Sequence, residues 1–320
     1  MEEAVAVNTA AVPAVYKMPI DKDRLIPQLP DEDKLEQVKF MKRLIMGCFI
    51  IMIMGFLIRV SPFYYPLRSF VVMYPYSYYH QQMSLIQQTD FNLQMPGGFG
   101  KHHKPWHPLM LVFHDEYGFA HWQDEPWGLT VLYRFGGFEF GLPHSSYYDP
   151  DADAYSSFYG AYLVKHQTEA SQYYGFDDAG KMIPGDWSRI TEYDQRYLVM
   201  PSLGLPPEQV VFNIEITEIQ ENIDYLEWAG WTRVDARIET NSPQHRYRGH
   251  QRGYLQYGLP LEPFENEPDF ELITLYGRIY ARQFDPWDVS VALYVVASSQ
   301  EWLEVTDKQF ISITRLPPPH

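Results

Sequence analysis

A chain of 320 residues that is 46% hydrophobic carries enough apolar side chain to build a core, which excludes disorder throughout. Its 41 acidic and 25 basic residues leave a formal charge of −16, which repels phosphate backbones and sets nucleic acid aside as a partner. The single cysteine, Cys48, excludes an intrachain disulfide and every Cys-based zinc, iron–sulfur or haem-attachment motif.

Aromatic residues make up 16% of the chain, with 25 Tyr, 19 Phe and 8 Trp. Rings with large apolar areas and polar tips suit packed cores and partner interfaces alike. No Asn is followed two places on by Ser or Thr, which disfavours a glycosylated ectodomain.

Residues 1–39 mix Ala and Val with Pro and charges and show no sustained period before about Asp31. They are expected to form an extended N-terminal tail that ends in a short amphipathic lead-in.

From Leu44 to Ile58 the sequence is LIMGCFIIMIMGFLI, without a charge or a proline. At 1.5 Å per residue this strict run covers about 22 Å, short of the roughly 30 Å hydrocarbon core of a bilayer. Phe40, Met41 and Val60 lengthen it, and Lys42, Arg43 and Arg59 have apolar stems that can snorkel to the headgroups. The pattern predicts a transmembrane helix at residues 40–60 that stays as a signal-anchor, with the lipid bilayer as its first partner. Lys34, Lys39, Lys42 and Arg43 precede the run, whereas Arg59 and Arg68 follow it. That bias favours a cytoplasmic N-terminus and an exported large domain, periplasmic or extracellular.

Residues 61–108 form an aromatic and Pro-rich connector. Tyr64, Tyr65, Tyr74 and Tyr76 crowd a stretch suited to an interfacial belt or to contact with partner subunits.

Residues 109–320 are expected to form a mainly β extramembrane domain, an antiparallel sandwich or open barrel with a few short helices. LMLVFHDEYGFAHW predicts a hairpin turning at Asp115–Gly118, and GLTVLYRFGGFEFGL a second one at Gly136-Gly137. DAYSSFYGAYLVKH and DWSRITEYDQRYL predict helical turns. VVFNIEITEI and WTRVDARIET alternate apolar and polar residues, as half-buried strands do. FELITLYGRIYAR and VSVALYVVASS predict two more strands joined by a turn at Phe284-Asp285-Pro286.

Potential ligands are densest at His102, His103, His107, His114 and His121. A hairpin closing at Asp115–Gly118 would bring His114 and His121 to diagonal cross-strand positions about 7 Å apart, where two imidazoles can share a metal. Asp149, Asp151 and Asp153 begin like a calcium loop, but Ala154 stands where a glycine is required and Gly160 where a bidentate Glu is required. His144, Ser145, Ser146 and Asp149 supply the residue types of a hydrolytic triad without a nucleophile elbow. Arg246, Arg248 and Arg252, interleaved with His and Tyr, form a basic island suited to carboxylate, headgroup or protein recognition.

These features favour a non-catalytic, single-pass accessory or structural subunit of a membrane complex, with an energy-converting assembly as one candidate class. Its partners would be other membrane-protein subunits, and no cofactor is required. The alternatives are a membrane-anchored exported metal-dependent enzyme using the His102–His121 region, and an exported ligand- or surface-binding module.

Overall fold

The structure is a computed structural model that describes residues 32–60, 75, 79, 81–96, 111–114, 116–135, 150–200, 205–242 and 270–318. The chain divides into two compact units, Met1–Arg59 and Val60–His320.

The first helix, α1, runs without a break from Glu32 to Val60. Twenty-nine residues at 1.5 Å each make it about 43 Å long. The expected lead-in and apolar run are therefore one element. Within it, Lys34–Leu57 is long and apolar enough to cross a membrane, and none of its most apolar window is buried. Phe40, Ile45, Ile51, Met52 and Phe56 are each at least 60% exposed. All of its charged residues but Arg59 lie in the N-terminal half, so the helix changes from polar to apolar along its length rather than around its circumference.

The second unit is the expected mainly β, antiparallel domain. Its strands are β1 (Leu111–His114), β2 (Trp127–Phe135), β3 (Phe158–His166), β4 (Phe212–Tyr225), β5 (Trp228–Asn241), β6 (Leu272–Phe284) and β7 (Val289–Ala297). They make one seven-stranded sheet in the order β1-β2-β3-β7-β6-β5-β4, with β1 and β4 at its edges. Neighbours pair antiparallel throughout.

Both faces of the sheet are covered near its middle. One face packs under α3 (Glu116–Gln123), α4 (Pro184–Tyr193) and the π-helical turn Asp194–Val199, through Phe119, Trp187, Ile190, Tyr193 and Val199. The other packs under the single turn α2 (Leu85–Gln88), the segment Phe91–Met95, and α5 (Gln300–Thr306) with the π-helical turn Asp307–Ile311. This double cover explains why β7 reads VSVALYVVA: all nine residues are buried, so neither face tolerates a charge.

Two sequence expectations are corrected. The hairpin at Asp115–Gly118 does not form; β1 ends at His114 and Glu116–Gln123 is helical. Phe119 and Trp122, three apart, lie on one helical face and pack against Tyr193, contacts that a strand could not make from the same side. The helical turns expected in DAYSSFYGAYLVKH are instead the central strand β3, buried along nearly its whole length. The partner half of the Gly136-Gly137 hairpin lies outside the described residues. β4, β5, β6, β7, the Asp285–Trp287 turn and helix α4 follow the sequence reading.

A candidate partner-binding cleft beside an edge strand

The loop before α4 and the helix itself are fixed by one tryptophan. Pro184 starts α4, where a missing N–H costs nothing. Trp187, Ile190 and Tyr193 then fall on its buried face. Gly175, with φ of 74°, lets its carbonyl approach the indole and accept from Trp187 Nε1 at 3.2 Å. A Cβ at Gly175 would fall 2.2 Å from that nitrogen, so only glycine seats this tryptophan.

Below α4 the sheet face is left partly open. Met182, Pro184, Trp187, Ser188 and Thr191 form the roof of a cleft, with Ile214, Ile216, Val234, Ala236 and Ile238 in its floor. The space within it is about 40 Å³. That is room for about three water molecules. Such a space admits side-chain tips rather than an enclosed small-molecule ligand. Gly277 keeps the floor low: a Cβ there would lie 2.8 Å from Ile238 Cδ1.

The cleft borders β4, which among the described residues is an edge strand. Ile216 and Ile219 remain 39% and 44% exposed, whereas Val234 and Ile238 on β5 are buried. β4 also carries Glu215, Glu218, Glu221 and Asp224 and no basic residue. Lys181 reaches Glu221 at 3.1 Å and Arg233 reaches Glu218 at 3.8 Å, both with exposed carboxylates. Glu215 and Asp224 have no ion-pair partner among the described residues.

Three further polar groupings bear on what the domain does. On the opposite face, Arg278 keeps 2% of its side-chain surface and spends all five N–H donors on Asp235, Glu304 and Asp307. Tyr280 Oη adds a bond to Asp307 Oδ2 at 2.7 Å. No donor is left for a ligand, so this cluster clamps α5 and the following turn to β5 and β6. Burial works to raise the Asp235 carboxyl, but hydrogen bonds from Arg278 and Arg233 outweigh it and hold it below the usual range. Hydrogen bonding to Arg278 likewise holds Glu304 down.

Elsewhere Asp194, in the π-helical turn, is fully buried and accepts from Tyr162 Oη at 2.7 Å. Its Oδ1 has no partner among the described residues, and burial pushes its carboxyl well above the usual range. A polar recess of about 740 Å³ lies by Glu125, Glu169, Asp186 and Arg189. Burial raises the Asp186 carboxyl there, Arg189 opposes that shift, and Glu125 adds to it.

The hairpin that would set His114 and His121 at diagonal cross-strand positions does not form. His114 ends β1 opposite Thr130, and His121 is exposed in the last turn of α3. Among the described residues no group of three or more His, Cys, Asp or Glu is placed to hold a metal ion. His102, Tyr64, Tyr65, Tyr74, Tyr76, Arg246, Arg248 and Arg252 lie outside the described residues.

The β4 edge was missed in the sequence, although the run of acids alternating with isoleucines was its signal. Arg278 gave none, because its partners Glu304 and Asp307 are 26 and 29 residues away. Comparison with protein-family models, curated proteins and solved structures finds no match to this chain.

Proposed function

We propose that this chain is a non-catalytic, single-pass subunit of a membrane protein complex, held in the bilayer by α1 and engaging partner subunits through its β domain. The N-terminus is cytoplasmic and the domain exported, following the basic residues before the apolar run. The carrying observation is α1: the most apolar window within Lys34–Leu57 has no buried residue, and water is a poor solvent for such a surface. The exposed isoleucines of β4 and the cleft beside them support partner contact by the domain.

Fractionation of native membranes tests both halves. The chain should stay in the membrane pellet through an alkaline carbonate wash. In mild detergent it should migrate well above the size of one 37.6 kDa chain and its micelle. Release by carbonate, or migration as a single chain, overturns the reading.

A further inference from the structure

We propose that the free edge of β4 takes up an extended basic segment of a partner protein as an eighth strand, whose alternate apolar side chains enter the cleft beneath α4. This rests on the subunit reading and names the chemistry of one contact.

Among the described residues β4 is paired on one side only, and no described strand meets the outward-pointing N–H and C=O groups along its other side. Its ladder with β5 is regular from Phe212 to Ile216, and shifts of register follow at Ile216/Glu218 and Gln220/Ile223. The bulges blunt the later part of the edge and leave about five residues fit to template a strand. Over those five, Ile214 and Ile216 face the cleft, so an added strand would lay every second side chain against α4 and the β4 isoleucines. Backbone pairing supplies affinity in such additions, and the alternate side-chain sites supply specificity.

Charge selects the occupant. A second copy of β4 would set Glu215, Glu218, Glu221 and Asp224 against their own kind, and like charges directly opposite oppose pairing. Lys or Arg at the intervening positions of the added segment would meet Glu215 within the regular ladder and approach Glu218 just past the first bulge. The occupant is therefore an extended partner segment with apolar residues at every second position and basic residues between them.

The test uses the full-length protein in detergent and a fluorescent seven-residue peptide of alternating Val and Lys, with a Val and Glu peptide as control. Anisotropy should show the basic peptide binding at least tenfold tighter than the acidic one, and weakening as salt rises. The double substitution Glu215→Lys with Glu218→Lys, and separately Ile216→Ser, should each weaken it about tenfold, with circular dichroism unchanged. A photoreactive group on the peptide should cross-link within Phe212–Ile216. Equal binding of the two peptides, indifference to the substitutions, or cross-links in the Glu125–Asp186 recess would overturn the proposal.

Self-association abolished by the charge reversal would give the edge to a second copy instead. Binding that appears only after Arg246, Arg248 and Arg252 are replaced by Ser would give it to the chain's own segment. Both outcomes overturn the partner assignment. If the peptide binds as expected but the chain is a monomer in its membrane, the subunit reading fails and the edge site stands. A stable complex whose composition ignores the β4 substitutions does the reverse.

Discussion

Arg278 on β6 and Asp307 after α5 meet at 2.8 Å, the guanidinium retaining 2% of its side-chain surface and the carboxylate 10%. Removing one partner of a buried, hydrogen-bonded ion pair costs about 3–5 kcal/mol, because the other charge is left without a counterion. Arg278→Leu should therefore destabilise the domain by about that amount, read as a shift in denaturant midpoint. Glu304→Gln should cost less than about 1 kcal/mol, since that side chain is 55% exposed and its pair is solvent-screened. Equal losses from the two substitutions would show that the clamp is not organised around the buried pair.

The same cluster sets the acid limit. Asp235 and Glu304 have folded-state values below their ordinary ones, so their stabilisation is complete above the unfolded values, about pH 4. It is lost as pH falls from there through the folded values. Melting temperature should drop as pH falls below about 4, and Arg278→Leu should flatten that drop. An unchanged slope in the variant would mean that other carboxylates govern acid unfolding.

Asp194 has the opposite sign. Its folded value is raised, so the folded chain keeps a proton that the unfolded chain releases above about pH 4. Its contribution is fully favourable below that point and declines as pH rises toward the folded value. Asp194→Asn cannot ionise and removes the decline. The melting temperature of the variant relative to the parent should therefore rise from pH 4 to pH 8, and a constant difference would contradict a buried protonated carboxyl.

Gly160 on β3 leaves no room for a side chain. An added Cβ would fall 1.7 Å from the Leu132 carbonyl oxygen and 2.6 Å from Tyr294 Oη, which itself donates to Leu132 at 2.8 Å. The first obstacle is backbone, so relief requires the central strands to move apart. Gly160→Ala should cost about 3 kcal/mol or more, at or above the upper end of overpacking penalties. Native-like melting of this variant would contradict the close β2–β3 approach.

The elements legible in the sequence were those with one dominant local signal. α1 showed as an apolar run, β5 as alternation that put Val234, Ala236 and Ile238 inside, and the β6–β7 turn as Asp285-Pro286. β3 was misread because a strand buried on both faces does not alternate, so SSFYGAYLVKH has no period to betray it. The region around His114 and His121 was misread because Asp115–Gly118 resembles a turn, and only contact with Tyr174 and Tyr193 favours a helix for Phe119. The cleft itself needs Trp187, Ile216 and Ile238 from three separate segments, which no single stretch can reveal.

The proposed subunit role is tested most directly by the native mass of the full chain extracted from native membranes in mild detergent. The expected result is one 37.6 kDa chain held with other polypeptides at fixed stoichiometry. A monodisperse monomer with no co-purifying chain would contradict it.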